Sequence, residues 1–222
     1  MSQIRPALTA LLALTCAVAL IFALWPQIDL AVARFFFAGG GFIGQTSFER
    51  FARAFFNVTP FVILAGFAGL YALRRFGVAT PYAPSGRALI FLIATMAIGP
   101  GLVVNLGMKD HLHRPRPIHV QEFGGPDEFR PWYRFDGACS RNCSFVSGEA
   151  AEGFWMVAPA SLVPPPWRGP AIAAALAFGV GASVLRMAFG GHFLSDVVLG
   201  GLLTLLIVEL ARMLLWRNKN AS

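Results

Sequence analysis

A chain of 222 residues with 56% hydrophobic and 13% charged side chains has about half the charge density of a soluble domain, which excludes a large water-soluble domain between its apolar runs. The net charge of +7 comes from basic residues scattered between those runs rather than gathered on one face. That pattern argues against nucleic acid and for anionic lipid or a phosphate-bearing substrate.

A bilayer core needs roughly 20 apolar residues per helix. Six segments, about 7–25, 57–75, 87–108, 149–165, 170–188 and 194–215, meet or approach that length. The expected fold is therefore all-α: a single membrane-embedded domain over 1–222 with about six transmembrane helices. In the first run, "AVA" at 31–33 resembles a signal cleavage site. The apolar stretch from Ala7 to Trp25 is long for a signal peptide, however, so a retained helix is expected. Residues 26–56 mix Phe35, Phe36, Phe37, Phe42, Phe48, Phe51, Phe55 and Phe56 with Arg34, Glu49, Arg50 and Arg53. This reads as an amphipathic segment along the membrane surface, serving either as an interfacial anchor or as a contact for lipid acyl chains. The fourth segment carries Glu152 near its start and runs into Pro164, Pro165 and Pro166, which stop a helix.

Six spans place the loops 109–148 and 189–193 on one side and both termini on the other. The terminus side holds Arg5, Arg74, Arg75, Arg87, Arg168, Arg212, Arg217 and Lys219, so it is expected to face the cytoplasm. Cys16 lies in the first apolar run and reads as packing. Cys139 and Cys143 sit in the polar loop "CSRNC". They are expected to form a disulfide if that loop lies outside the cytoplasm, the alternative being two free thiols. Two cysteines with no further Cys/His cluster make a poor zinc site.

Three polar stretches share the side opposite the termini: "KDHLHRPRP" (109–117), "SFVSGEA" (144–150) and "RMAFGGHFLSD" (186–196). Polar groups at a membrane boundary are costly unless they are used. Lys109, Arg116 and Arg186 suit the oxygens of a phosphate, which arginine can grip bidentately. Ser147 and Gly148 precede an apolar helix; Ser is a good N-cap, and a helix N-terminus attracts anions. His192 and Asp196 are four residues apart and share a helical face. A carboxylate there can hold one imidazole nitrogen as N–H and leave the other as a nucleophile.

These residues resemble the tripartite motif of the type 2 phosphatidic acid phosphatase (PAP2) superfamily: K-x6-R-P, then P-S-G-H, then S-R-x5-H-x3-D. Lys109, Arg116 and Pro117 match the first part, Ser147 and Gly148 the middle of the second, and Arg186, His192 and Asp196 the third. The motifs occupy 109–196 and the helix pattern extends the likeness over most of the chain. Val146 stands at the motif proline, Leu185 at the motif serine, and Glu149 at the second-motif histidine. The variant "SFVSGE", with "RPRP" and "EFGG" nearby, resembles bacterial membrane phosphatases of the lipid A type.

The resemblance implies a metal-independent phosphoric monoester hydrolase of the bacterial inner membrane with its site facing the periplasm. His192 would be the nucleophile, forming a phosphohistidine; Asp196 would orient it and Arg186 would stabilise the transferring group. Lys109, Arg116, Ser147, Gly148, Glu149 and His113 would contact substrate. The expected substrate is a lipid A phosphate; isoprenyl diphosphates such as undecaprenyl diphosphate, phosphatidylglycerol phosphate, and transfer of the phosphoryl group to a second lipid are the alternatives. No cofactor, metal or obligate protein partner is implied. Asp110, His111, His113 and Arg114 fall in the variable part of the first motif; His113 reads as a surface residue, with a catalytic role as the alternative. Arg130, Arg134 and Arg141 read as solvated loop charges. Three readings of Glu149 stay open. A bound phosphate could raise its pKa, another group such as His113 could donate the proton, or a good leaving group could need no acid.

Overall fold

The computed structural model describes residues 4–80, 83–109 and 111–216. Asp110, Arg217 and Lys219, named above, lie outside them, as does the side chain of Arg5. The elements are α1 (Ile4–Leu24), α2 (Gln27–Phe35), a two-stranded hairpin (Phe37–Ala38 with Gly41–Phe42), α3 (Ser47–Arg75), α4 (Gly86–Met96), α5 (Gly148–Trp155), α6 (Val157–Ser161), α7 (Arg168–Ala188) and α8 (Leu194–Trp216).

Among the described residues, five helices are long and apolar enough to cross a membrane: α1, α3, α4 with its continuation to Met108, α7 and α8. Their outward faces carry Leu14, Leu20, Val58, Val62, Ile90 and Leu214, all exposed. Against lipid tails, such side chains satisfy the solvent without needing a protein partner.

The fourth expected segment, 149–165, differs from a regular span: it is the pair α5 and α6, broken at Met156. It still runs the length of the bundle. Ser147, just before α5, donates its N–H to the Asp196 carbonyl at the start of α8, while Ser161 and Leu162 border a cavity with Arg168, Arg212 and Trp216 at the other end. The segment's helical residues, eight in α5 and five in α6, rise only about 20 Å, short of a bilayer core. The pair is tolerated because it is enclosed by protein: Ala150, Ala151, Trp155 and Ala158 are fully buried. A Cβ on Gly153 would lie 3.1 Å from both the Ala182 Cβ and the Gly179 Cα, so glycine lets α5 press directly onto α7. At its base, the Trp155 indole donates to Thr95 Oγ1 at 2.9 Å within a cluster of Phe91, Leu92, Met96 and Val208.

The expected surface segment 26–56 divides. Gln27–Phe35 forms the short amphipathic α2, whereas residues from Ser47 onward are the opening turns of α3, with no glycine or proline to break the helix before Pro60. Val18 and Ala19 of α1 pack against the cluster of Val104, Phe145 and Leu199. Past Met96, α4 widens over Ala97–Met108. Pro100 lacks an amide hydrogen, and the final bond joins Lys109 N–H to the Val104 carbonyl five residues back. Such widened turns recur at functional sites; here the turn delivers Lys109.

Candidate active site

Backbone bonds draw the three motif stretches to one end of the bundle. Cys143 N–H donates to the Lys109 carbonyl (3.1 Å), Ser144 N–H to that of Arg114 (2.9 Å), Ser147 N–H to that of Asp196 (3.1 Å), and Ile118 N–H to that of Gly190 (3.0 Å). The Cys139–Cys143 disulfide is formed and closes the loop that docks on the first motif.

His192 is buried. Its Nδ1 lies 2.7 Å from the Ser144 carbonyl oxygen, an acceptor only, so Nδ1 carries the proton and Nε2 the lone pair. Burial, reinforced by the Arg186 charge, pushes the imidazole pKa down to about 4, so the ring is neutral at pH 7. The direct Asp196–His192 hydrogen bond expected from the i,i+4 spacing is not made: Oδ2 lies 3.8 Å from Nδ1, beyond hydrogen-bond range. Asp196 Oδ2 instead accepts from Ser144 Oγ at 2.5 Å and Phe193 N–H at 2.7 Å, and Oδ1 accepts from Arg114. The carboxylate acts on the histidine at one remove, by holding the residue whose carbonyl orients it.

Arg114, from the variable part of the first motif, is fully buried. It donates to Asp196, to Ser195 Oγ (2.8 Å), to Asp29 Oδ2 (2.7 Å) and to the Arg130 carbonyl (2.9 Å), and stacks 4.5 Å from the Phe193 ring centroid. Burial alone would lower its pKa; Asp196 and Asp29 outweigh that and hold it above the ordinary arginine value. Asp29, from α2, also accepts from Ser195 N–H (2.8 Å) and Oγ (2.6 Å), which caps α8. A buried cation needs such partners, and the run Asp29–Arg114–Asp196 supplies one on each side.

Beside this network lies a cavity of about 360 Å³ lined by Arg53, Arg116, Arg141, Arg186, His119 and Asn142 together with Ile118, Phe189 and Gly191. Arg116 is aimed by Asn142, donating to its carbonyl (3.1 and 2.8 Å) and to Oδ1 (2.8 Å). Burial and the neighbouring Arg53 lower the Arg116 pKa. Arg186 is buried, and its Nε has no hydrogen-bond partner; the nearest carboxylate oxygen, Glu149 Oε1, is 3.4 Å away.

Glu149 accepts both Nε (3.1 Å to each oxygen) and Nη2 (2.5 Å) of Arg53. A carboxylate gripped by one guanidinium and flanked by another is a poor proton donor, which sets aside Glu149 as the acid. Ser147 caps α5, its Oγ accepting from Ala150 N–H at 3.3 Å. A Cβ on Gly148 would fall 2.6 Å from Asn105 Oδ1 and 3.1 Å from Lys109 Nζ, so glycine leaves room for the lysine there. Burial, then Arg116, push the Lys109 ammonium below its usual pKa.

His113 is set back: its Nδ1 lies 2.8 Å from the Cys139 carbonyl, and it does not line the cavity. Of the loop charges, Arg130 and Arg134 pair with Glu128 and Asp136, whereas Arg141 faces the cavity. Among the described residues no group of three or more His, Cys, Asp or Glu is placed to hold a metal ion. Sequence reasoning missed Asp29, Arg53, Arg114 and His119 as site residues. The available signals were an aspartate within a greasy segment and the additional arginine of "RPRP".

Fold and site together define a polytopic membrane protein with an anion cavity and a neutral, oriented histidine at one end of the bundle. The PAP2 superfamily profile matches residues 88–220, and the chain belongs to that superfamily. It is similar to the lipid A 4'-phosphatases of Francisella tularensis subsp. novicida (35% identical over 213 residues, 90% of this chain and 91% of that protein) and of Rhizobium leguminosarum (34% over 202 residues, 84% and 87%). No solved structure matches.

Proposed function

We propose that the chain is a lipid A phosphatase of the bacterial inner membrane that works through a phosphohistidine. The observation that carries this reading is the buried His192 with its Nε2 lone pair, next in the chain to Gly191 of an arginine-lined cavity, in a chain whose 33–35% identical relatives are named lipid A 4'-phosphatases. A phosphate monoester enters with its oxygens toward Arg116, Arg186 and Lys109. Nε2 attacks phosphorus as the bond to the sugar oxygen breaks, and the guanidinium groups stabilise the charge that spreads over the oxygens. Water then releases phosphate from the histidine. An excess of cations can take the place a divalent ion holds in other phosphatases, so EDTA should leave turnover intact.

The site end faces the periplasm in this reading. Its loop holds a disulfide, a bond suited to an oxidising compartment, while Arg74, Arg75, Arg87, Arg168 and Arg212 mark the opposite end. The test is release of inorganic phosphate from a bisphosphorylated lipid A precursor by purified protein, with mass spectrometry of the product to show which position is lost. Release from undecaprenyl diphosphate or phosphatidylglycerol phosphate, with none from lipid A, would overturn the substrate assignment.

A further inference from the structure

Breaking a phosphorus–oxygen bond to a sugar leaves an alkoxide unless a proton reaches that oxygen. The family pattern puts a histidine at 149, where this chain has Glu149, and Glu149 is held as a carboxylate by Arg53 with Arg186 alongside. His113 is engaged with the Cys139 carbonyl. Neither it nor the exposed His111 lines the cavity.

One histidine does. His119 ends the short turn Pro117–His119 that follows Arg116 and lines the cavity together with Arg116, Arg186 and Gly191. Its position is fixed from two sides. Ile118 N–H donates to the Gly190 carbonyl, tying the turn to the loop that bears His192. His119 N–H donates to the Arg116 carbonyl at 2.9 Å, and its own carbonyl accepts from Asp127 N–H at 2.9 Å. The backbone is thereby locked while the side chain stays exposed.

We propose that His119 is the general acid of the reaction, a catalytic residue standing in for the histidine that Glu149 replaces; this rests on the phosphatase reading above. The His192 Nε2 lone pair forms the N–P bond, the P–O bond to the sugar breaks, and the departing oxygen takes the proton of the His119 imidazolium. Water then attacks phosphorus, the N–P bond breaks with its electrons returning to His192, phosphate leaves as H2PO4−, and His119 takes up a proton again from solvent.

The experiment compares His119→Gln with the parent on two substrates: a phosphate ester of an unactivated alcohol and an activated aryl phosphate that needs no acid. The first is a lipid A precursor. If the parent releases nothing from it, the lipid A assignment falls, and phosphatidic acid supplies the unactivated alcohol instead. The expected result is a loss of about 10²–10⁴-fold in kcat on the alcohol ester, the usual worth of a general acid. Aryl phosphate turnover stays within a few-fold of the parent, which also shows that the variant is folded. Equal losses on both substrates would reduce His119 to a structural or binding group, and no loss on either would remove it from the mechanism; both overturn the proposal.

Discussion

The nucleophilic role proposed for His192 rests on what surrounds it. A solvent-exposed histidine titrates near pH 6.5, so at pH 5.5 about 90% of it would be protonated and without a lone pair. Burial moves His192 to about 4. Because the shift is downward, the ring should remain neutral, with the proton on Nδ1, until the pH approaches that value. Nitrogen NMR of histidine-labelled protein at pH 5.5 is expected to show the neutral Nδ1–H tautomer for the resonance missing in His192→Gln; an imidazolium signal would contradict the reading. Glu149 illustrates the opposite case. Its sequence position left open whether it donates a proton, and its two oxygens hold Arg53 beside the cavity. Glu149→Gln should therefore slow poor and good leaving groups alike, by about 10- to 100-fold, through misplacement of Arg53 and Arg186. A loss confined to poor leaving groups in substrate kinetics would restore it as a proton donor.

The elements show how a membrane bundle specifies a site without a strong hydrophobic drive between its helices. The short α2 brings Asp29 onto Arg114, and Arg114 reaches Asp196 at the head of α8. Removing the arginine leaves two buried carboxylates facing each other, a loss of about 3–5 kcal/mol in comparable breakages. Arg114→Ala should accordingly lower unfolding stability in detergent by about that amount. The double variant Arg114→Ala with Asp29→Ala should recover part of it; strict additivity of the two changes would argue against the network. Local patterns in the sequence foretold some of this and concealed the rest. The motif spacings and the apolar runs are local features, and they carried the long helices and, of the cavity residues, Arg116 and Arg186. The Asp29–Arg114 pair joins positions 85 residues apart, and no local pattern encodes such a partner. The i,i+4 relation of His192 and Asp196 was legible, but the competition from Arg114 and Ser144 that draws the carboxylate away was not. The irregular α5–α6 pair depends on being enclosed by its neighbours, a tertiary property invisible in a hydropathy run.

At the scale of the whole molecule, the arginine-lined cavity and the disulfide loop share one end, and a band of arginines marks the other. In a Cys16→Ser background, a cysteine introduced at Asp127 should react with impermeant thiol reagent applied from outside the inner membrane, and one at Gly77 should not. The reverse pattern would turn the site toward the cytoplasm. The central claim, that a neutral His192 attacks phosphorus, is tested most directly by rapid acid-free quenching of the protein during turnover of a radiolabelled phosphate ester. The account expects an acid-labile, base-stable phosphoryl group on the peptide containing His192, absent from His192→Ala, which should be inactive although folded. Label on another residue, or His192→Ala turning over within a few-fold of the parent, would contradict it.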